Sequence, residues 1–200
     1  MGLVKLFPQF KLKNAPKKQK SGLTFSRLIK SGYMRLLFVM FISISITSCT
    51  HSYYVVRHAE KATVTGNMSA NDPPLSEIGQ QRATALRDYM SGKKISAIYS
   101  TNTIRTKTTA QPTSDQFQIP IQQYGPRPDS TFINLVKSID KNVLIVGHSN
   151  TIDDIANQLS GSTQVTGDLP DGEYDNIFII RYKGKKFKKF ERVRYGAPAH

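Results

Sequence analysis

Apolar residues in this 200-residue chain fall into short runs separated by stretches of helical period. Tyr53–Val56 is β-branched and aromatic, and its length predicts a buried strand. Ile95–Tyr99 and Ile119–Gln123 read as two more strands. Asn142–Val146 is an uninterrupted apolar run of the kind that fills a central parallel strand. Between these runs the spacing predicts helices. One is capped by Ser76 and runs to about Tyr89, with Ile78, Ala85, Leu86 and Tyr89 as a partial apolar face. A second spans Asn102–Phe117, with Pro112 disturbing it. A third is Ser130–Ile139, with Phe132, Leu135, Val136 and Ile139 on one side. A fourth is Ile152–Leu159. Asn176–Tyr182 and Lys185–Tyr195 form a closing hairpin that turns at Gly184. Strands alternating with helices predict one α/β domain.

Composition changes this picture mainly at the front. The net charge is +14, yet nine of the 28 basic residues and none of the 14 acidic ones precede Cys49. The folded part therefore carries 19 basic against 14 acidic residues, a balance that gives no reason to expect a nucleic-acid partner. Arg35 followed by the apolar Leu36–Ile46 has the form of a signal segment, too short for an ordinary transmembrane helix. Ile46-Thr47-Ser48-Cys49 is similar to a bacterial lipobox. Cys49 is the only cysteine, so no intrachain disulfide can form and the thiol stands where a lipid would be attached. The expectation is a basic leader and lipoprotein signal over 1–48 and a single domain over 49–200. A lipid anchor at Cys49 would then hold the domain on a membrane of the bacterial cell envelope, facing the periplasm. Residues 1–33 are either a long basic n-region or precede a start at Met34.

Candidate chemistry gathers where strands end. Tyr53–Val56 delivers Arg57 and His58 at the end of an α/β strand where ligands sit. A guanidinium fork beside an imidazole suits a phosphate, and a histidine can act as nucleophile. Arg105 falls in the first turn of its helix, with Thr109 one turn later on the same face. The free N–H groups of that helix start favour an anion as well. His148 follows the Asn142–Val146 strand in the same way. The polar segment Ala62–Pro74 reads as a loop bordering the site, and Asp168–Asp175 as an acidic loop. The lysine run from Lys183 to Lys189 is either a polyanion or lipid-headgroup patch or, as preferred here, protection of an edge strand. His51 and His200 are given no role.

Arg57-His58-Ala59-Glu60, Pro74–Gly79, Tyr99–Ala110 and Val146-Gly147-His148, in that order, resemble the motifs of the histidine phosphatase, or phosphoglycerate mutase-like, superfamily. Thr101-Asn102-Thr103 replaces the Ser-Pro-Leu of the third motif. The resemblance implies a three-layer sandwich with a mostly parallel central sheet flanked by helices. It implies that His58 is a nucleophile that takes the phosphoryl group, with Arg57, Arg105 and His148 completing the phosphate pocket. No metal or other cofactor is implied. The general acid of the family has Asp129 and Glu60 as candidates here, with Asp115 and Asp140 read as surface residues. Ser149 follows His148, which excludes the branch whose second histidine precedes an aspartate. The expected function is hydrolysis of a phosphomonoester or phosphohistidine, on a phosphorylated small molecule or phosphoprotein. The alternative is a catalytically weak, membrane-anchored relative that binds a phosphorylated ligand or envelope partner.

Overall fold

The computed structural model describes residues 49–66 and 69–199. The expected leader and signal segment, apart from Cys49, lie outside the described residues. Ten elements follow in order: β1 (Thr50–Arg57), α1 (Glu77–Met90), β2 (Ala97–Ser100), α2 (Ile104–Phe117), β3 (Ile121–Gln123), α3 (Ser130–Ser138), β4 (Val143–Gly147), α4 (Ile152–Ser160), β5 (Asn176–Lys183) and β6 (Lys186–Arg194). The strands form one six-stranded sheet in the order β3-β2-β4-β1-β5-β6. The first four are mutually parallel, and β5 and β6 add antiparallel at one edge. β4 is central, flanked by β1 and β2, as its apolar run predicts.

Alternation along each strand splits the core in two. Tyr53, Val55, Val143 and Ile145 face the cluster built with Phe132, Ile133 and Val136 of α3 and Ile152, Ile155 and Leu159 of α4. Tyr54, Val56, Leu144 and Val146 face the opposite cluster, with Leu86 and Met90 of α1 and Ala110 of α2. Helices thus cover both faces, giving the three-layer α/β arrangement.

Two helical faces differ from the sequence reading. Ile78 is 61% exposed, while Gly79, Arg82, Ala83, Leu86 and Met90 form the buried side of α1. That helix turns inward a buried arginine with a partner, a choice periodicity of apolar residues does not reveal. In α3 Leu135 is 49% exposed and Ile133 takes the inward place beside Phe132 and Val136. Pro112 lies inside α2, and the helix continues through it to Phe117. β1 begins three residues earlier than its apolar run, because Thr50, His51 and Ser52 remain paired with Lys183, Tyr182 and Arg181 of β5.

Candidate active site

The parallel strands bring their C-terminal ends to one rim, and β1, β2 and β4 each place chemistry there. His58 follows directly on β1 and is 4% exposed. Its backbone N–H donates to Gly147 O of β4 at 2.9 Å, which fixes the ring's base against the neighbouring strand. Nδ1 lies 2.8 Å from Ala59 O. A carbonyl only accepts, so Nδ1 carries the proton and the neutral ring keeps its lone pair on Nε2. Burial drives the His58 pKa down to about 3, with the charges of Arg105, Arg57 and His148 acting in the same direction and the Ala59 bond opposing them. The ring is therefore neutral and nucleophilic at any ordinary pH.

The segment after His58 is held from two sides. Ala59 N–H donates to Thr109 Oγ1 at 2.9 Å, and that hydroxyl donates to Arg105 O at 2.7 Å. One threonine thus ties the His58 backbone to the first turn of α2. On the other side, Gly79 packs against Glu60. A Cβ on Gly79 would stand 2.2 Å from Glu60 O, so only glycine permits this approach of α1.

His148 follows β4, and its ring centroid lies 5.4 Å from that of His58, edge to face. Arg105 Nη2 donates to His148 Nδ1 at 3.3 Å. Nε2 of His148 therefore carries its proton and donates to Thr101 Oγ1 at 2.9 Å. Thr101 Oγ1 in turn lies 3.0 Å from Thr106 Oγ1, which donates to Thr101 O. The chain Arg105–His148–Thr101–Thr106 sets one tautomer and one ring orientation. Burial lowers the His148 pKa to about 4, assisted by Arg105 and Arg57 and opposed by Asp72.

Asp72 comes from the loop expected to border the site. Its carboxylate accepts from the N–H of Ile104, the first residue of α2, at 2.9 and 3.1 Å, and from Arg105 Nη1 at 3.2 Å. It aims the guanidinium and occupies the positive end of the helix.

Arg57 is 2% exposed and points to the loop before β5. Its Nη1 donates to Pro170 O at 2.8 Å and lies 3.3 Å from Asp171 O, and the Tyr174 ring covers Cζ at 4.2 Å. The same ring lies 6.0 Å from His58. The acidic loop thus contributes backbone carbonyls and an aromatic wall, while the Asp171 side chain is fully exposed and its 3.4 Å contact with Arg57 adds little. Nε of both Arg57 and Arg105 is buried without a hydrogen-bond partner.

The structure brings Arg57, His58, Arg105 and His148 to one place. It does not bring the two acid candidates there as free groups. Asp129 is exposed and caps α3, its Oδ1 accepting from Phe132 N–H at 2.8 Å. Glu60 accepts from Nε and Nη2 of the buried Arg82 at 2.6–2.9 Å. Neither residue type nor spacing marks Asp72, Thr101 or Tyr174 as a site group, and Thr109 is marked only by sharing a helix face with Arg105. Only the loop assignment of Ala62–Pro74 pointed towards Asp72. Among the described residues no group of His, Cys, Asp and Glu could hold a metal ion.

The sheet flanked by helices on both faces is a phosphoglycerate mutase-like fold. The model of the histidine phosphatase superfamily (branch 1) matches residues 53–125, a span that holds the first three of the four motifs and agrees with the resemblance they carry. No curated protein matches the sequence significantly. Solved structures share the fold at low identity. SixA of Agrobacterium tumefaciens, assigned as a phosphohistidine phosphatase, is 19% identical over 74% of this chain and 98% of its own, with a TM-score of 0.51. Phosphoglycerate mutase from Bacillus anthracis is 17% identical over 74% and 94%, with a TM-score of 0.52. A mycobacterial glucosyl-3-phosphoglycerate phosphatase is 12% identical over 75% and 100%, with a TM-score of 0.51. The superfamily match supports phosphoryl transfer on a phosphorylated substrate as the class of chemistry.

Proposed function

We propose that the protein is a phosphatase that works through a phosphohistidine on His58. The observation that carries this reading is the His58 ring: buried, protonated at Nδ1 by its bond to Ala59 O, and free at Nε2 beside His148 and two guanidinium groups. Nε2 attacks phosphorus, the N–P bond forms and the bond to the leaving atom breaks. Arg57, Arg105 and His148 stabilise charge on the phosphoryl oxygens, where most of the catalysis in such a transfer resides. Water then attacks phosphorus, the N–P bond breaks, and phosphate leaves with the ring restored.

Substrate preference follows from the carboxylates. Asp129 caps a helix and Glu60 serves Arg82, so neither is free to protonate a leaving alkoxide. Leaving groups that need little protonation are favoured, which points to phosphohistidine and aryl phosphates over alkyl esters. The neighbour assigned as a phosphohistidine phosphatase supports the same choice. Rapid quench with labelled substrate is the test. An acid-labile, alkali-stable adduct on His58, absent with its hydrolysis from His58→Ala, is expected. Label on another residue, or turnover retained in His58→Ala, rejects the mechanism.

The place of action proposed is the bacterial cell envelope, with the domain held by an acylated Cys49. The apolar Leu36–Ile46 and the lipobox-like residues support it, and Cys49 is exposed. Intact-mass analysis of membrane-extracted protein should show a cleaved chain bearing acyl mass, and an uncleaved leader without it overturns this reading.

A further inference from the structure

The end of the sheet opposite His58 holds a concave feature. A cavity of about 340 Å³ is lined by Thr50, His51 and Ser52 of β1, the Gly92–Lys94 turn after α1, Asn142 before β4, and Arg181 and Lys188 on the edge hairpin. The turn is secured. Asn142 Oδ1 accepts from Ser52 N–H at 2.8 Å, and its Nδ2 donates to Lys93 O. Lys94 holds a left-handed conformation, φ 50°, which projects consecutive lysines from one short turn.

The charges there are unequal. Arg181 pairs with Glu191, Lys189 with the same carboxylate, and Lys185 with Asp140. Among the described residues Lys93, Lys94 and Lys188 have no ion-pair partner, although Lys93 Nζ sits 4.9 Å over the Tyr89 ring. Lys183 and Lys186 flank the hairpin turn and extend the positive surface. Gly184 N–H donates to Cys49 O at 3.1 Å, so the point where the chain enters the domain is fastened to this same turn.

We propose that this cavity and hairpin form a docking site for the headgroups of an anionic phospholipid surface. Charge complementarity selects the occupant, and its position beside Cys49 fits the lipid-anchor reading on which the proposal partly rests. A basic patch beside the anchor adds attraction to anionic headgroups, about 1 kcal/mol for each cation near the surface. Edge-strand protection by the same lysines remains compatible, since Lys186 and Lys188 lie on β6, the last strand of the sheet.

The test is residue-specific acetylation of the full chain, with and without vesicles of phosphatidylcholine alone or mixed with phosphatidylglycerol, run on wild type and on Cys49→Ala. Anionic vesicles should slow labelling of Lys93, Lys94 and Lys188 in both proteins, and leave Lys61, beyond the other end of β1, unchanged. Lys188→Ala should weaken partition onto anionic vesicles about fivefold, the scale for one cation near such a surface. Phosphatase activity should be unchanged in Lys188→Ala, which also reports that it folds. Equal labelling with both vesicle types overturns the proposal. So does protection by free glycerophosphate at millimolar concentration, which would make this a soluble-anion site. Protection in Cys49→Ala together with an unacylated wild type leaves the docking site standing and removes only the anchor.

Discussion

At the scale of residues, the two histidines make the protein sensitive to acid in a defined window. Unfolded, each ring takes up a proton near 6.5; folded, His58 does so only near about 3 and His148 near about 4. The unfolded chain therefore binds more protons below pH 6.5, and stability falls as pH drops from 6.5 towards those folded values. Urea unfolding at pH 7 and pH 4.5 should show a smaller loss for His58→Asn than for the wild type. An equal loss would mean the ring is not held neutral. Glu60→Gln separates two roles for one carboxylate. It leaves Arg82, whose side chain is 2% exposed, without its counter-charge, at a cost of about 3–5 kcal/mol. Its rate per folded molecule on an alkyl phosphate should nevertheless be unchanged; a selective rate loss there would restore Glu60 as the acid. Arg57, His58, Arg105 and His148 were legible because a strand's end is legible in sequence and a ligand site sits at such ends. Asp72 and Tyr174 were not, because each reaches the site across tens of residues of chain and no local pattern records that meeting; Thr101 lies within a motif, but its bond to His148, 47 residues on, is equally unrecorded.

At the scale of elements, positions of helices and strands followed the apolar periods closely, and errors fell on what each helix faces. Ile78 is outward and Arg82 inward because Glu60, Tyr195 O and Ala197 O supply partners for the guanidinium. A polar residue with buried partners cannot be told from a solvated one by period alone. Gly79 is the contact that sets α1 against the residues after His58. Gly79→Ala should cost about 1–3 kcal/mol as an overpacking change, since backbone rather than a flexible side chain stands in the way. It should also lower the rate of adduct formation, because the His58–Glu60 segment must move. A crystal structure of the variant with that segment in place would refute the link. Leu144→Ala, on the central strand and fully buried, should cost about 2–5 kcal/mol without altering the site's chemistry.

At the scale of the whole molecule, residues near the end of the chain are linked through Arg82 to Glu60, two residues after His58. Arg82 donates at once to Glu60 and to the carbonyls of Tyr195 and Ala197, and Tyr195 is buried against the second core cluster. Removing residues 195–200 should therefore lower the melting temperature and the rate of phosphoenzyme formation together. Loss of one without the other would show that the tail and the site are independent. β1 also sets a reach. It starts at the cation-rich end, fastened through Cys49 to Gly184, and eight residues later hands over to His58. At about 3.3 Å per residue the strand holds His58 roughly 25 Å from its first residue. For a chain held at Cys49, phosphates within the supporting lipid layer stand too far below the catalytic rim to be cleaved. In that arrangement substrate would arrive from the aqueous side.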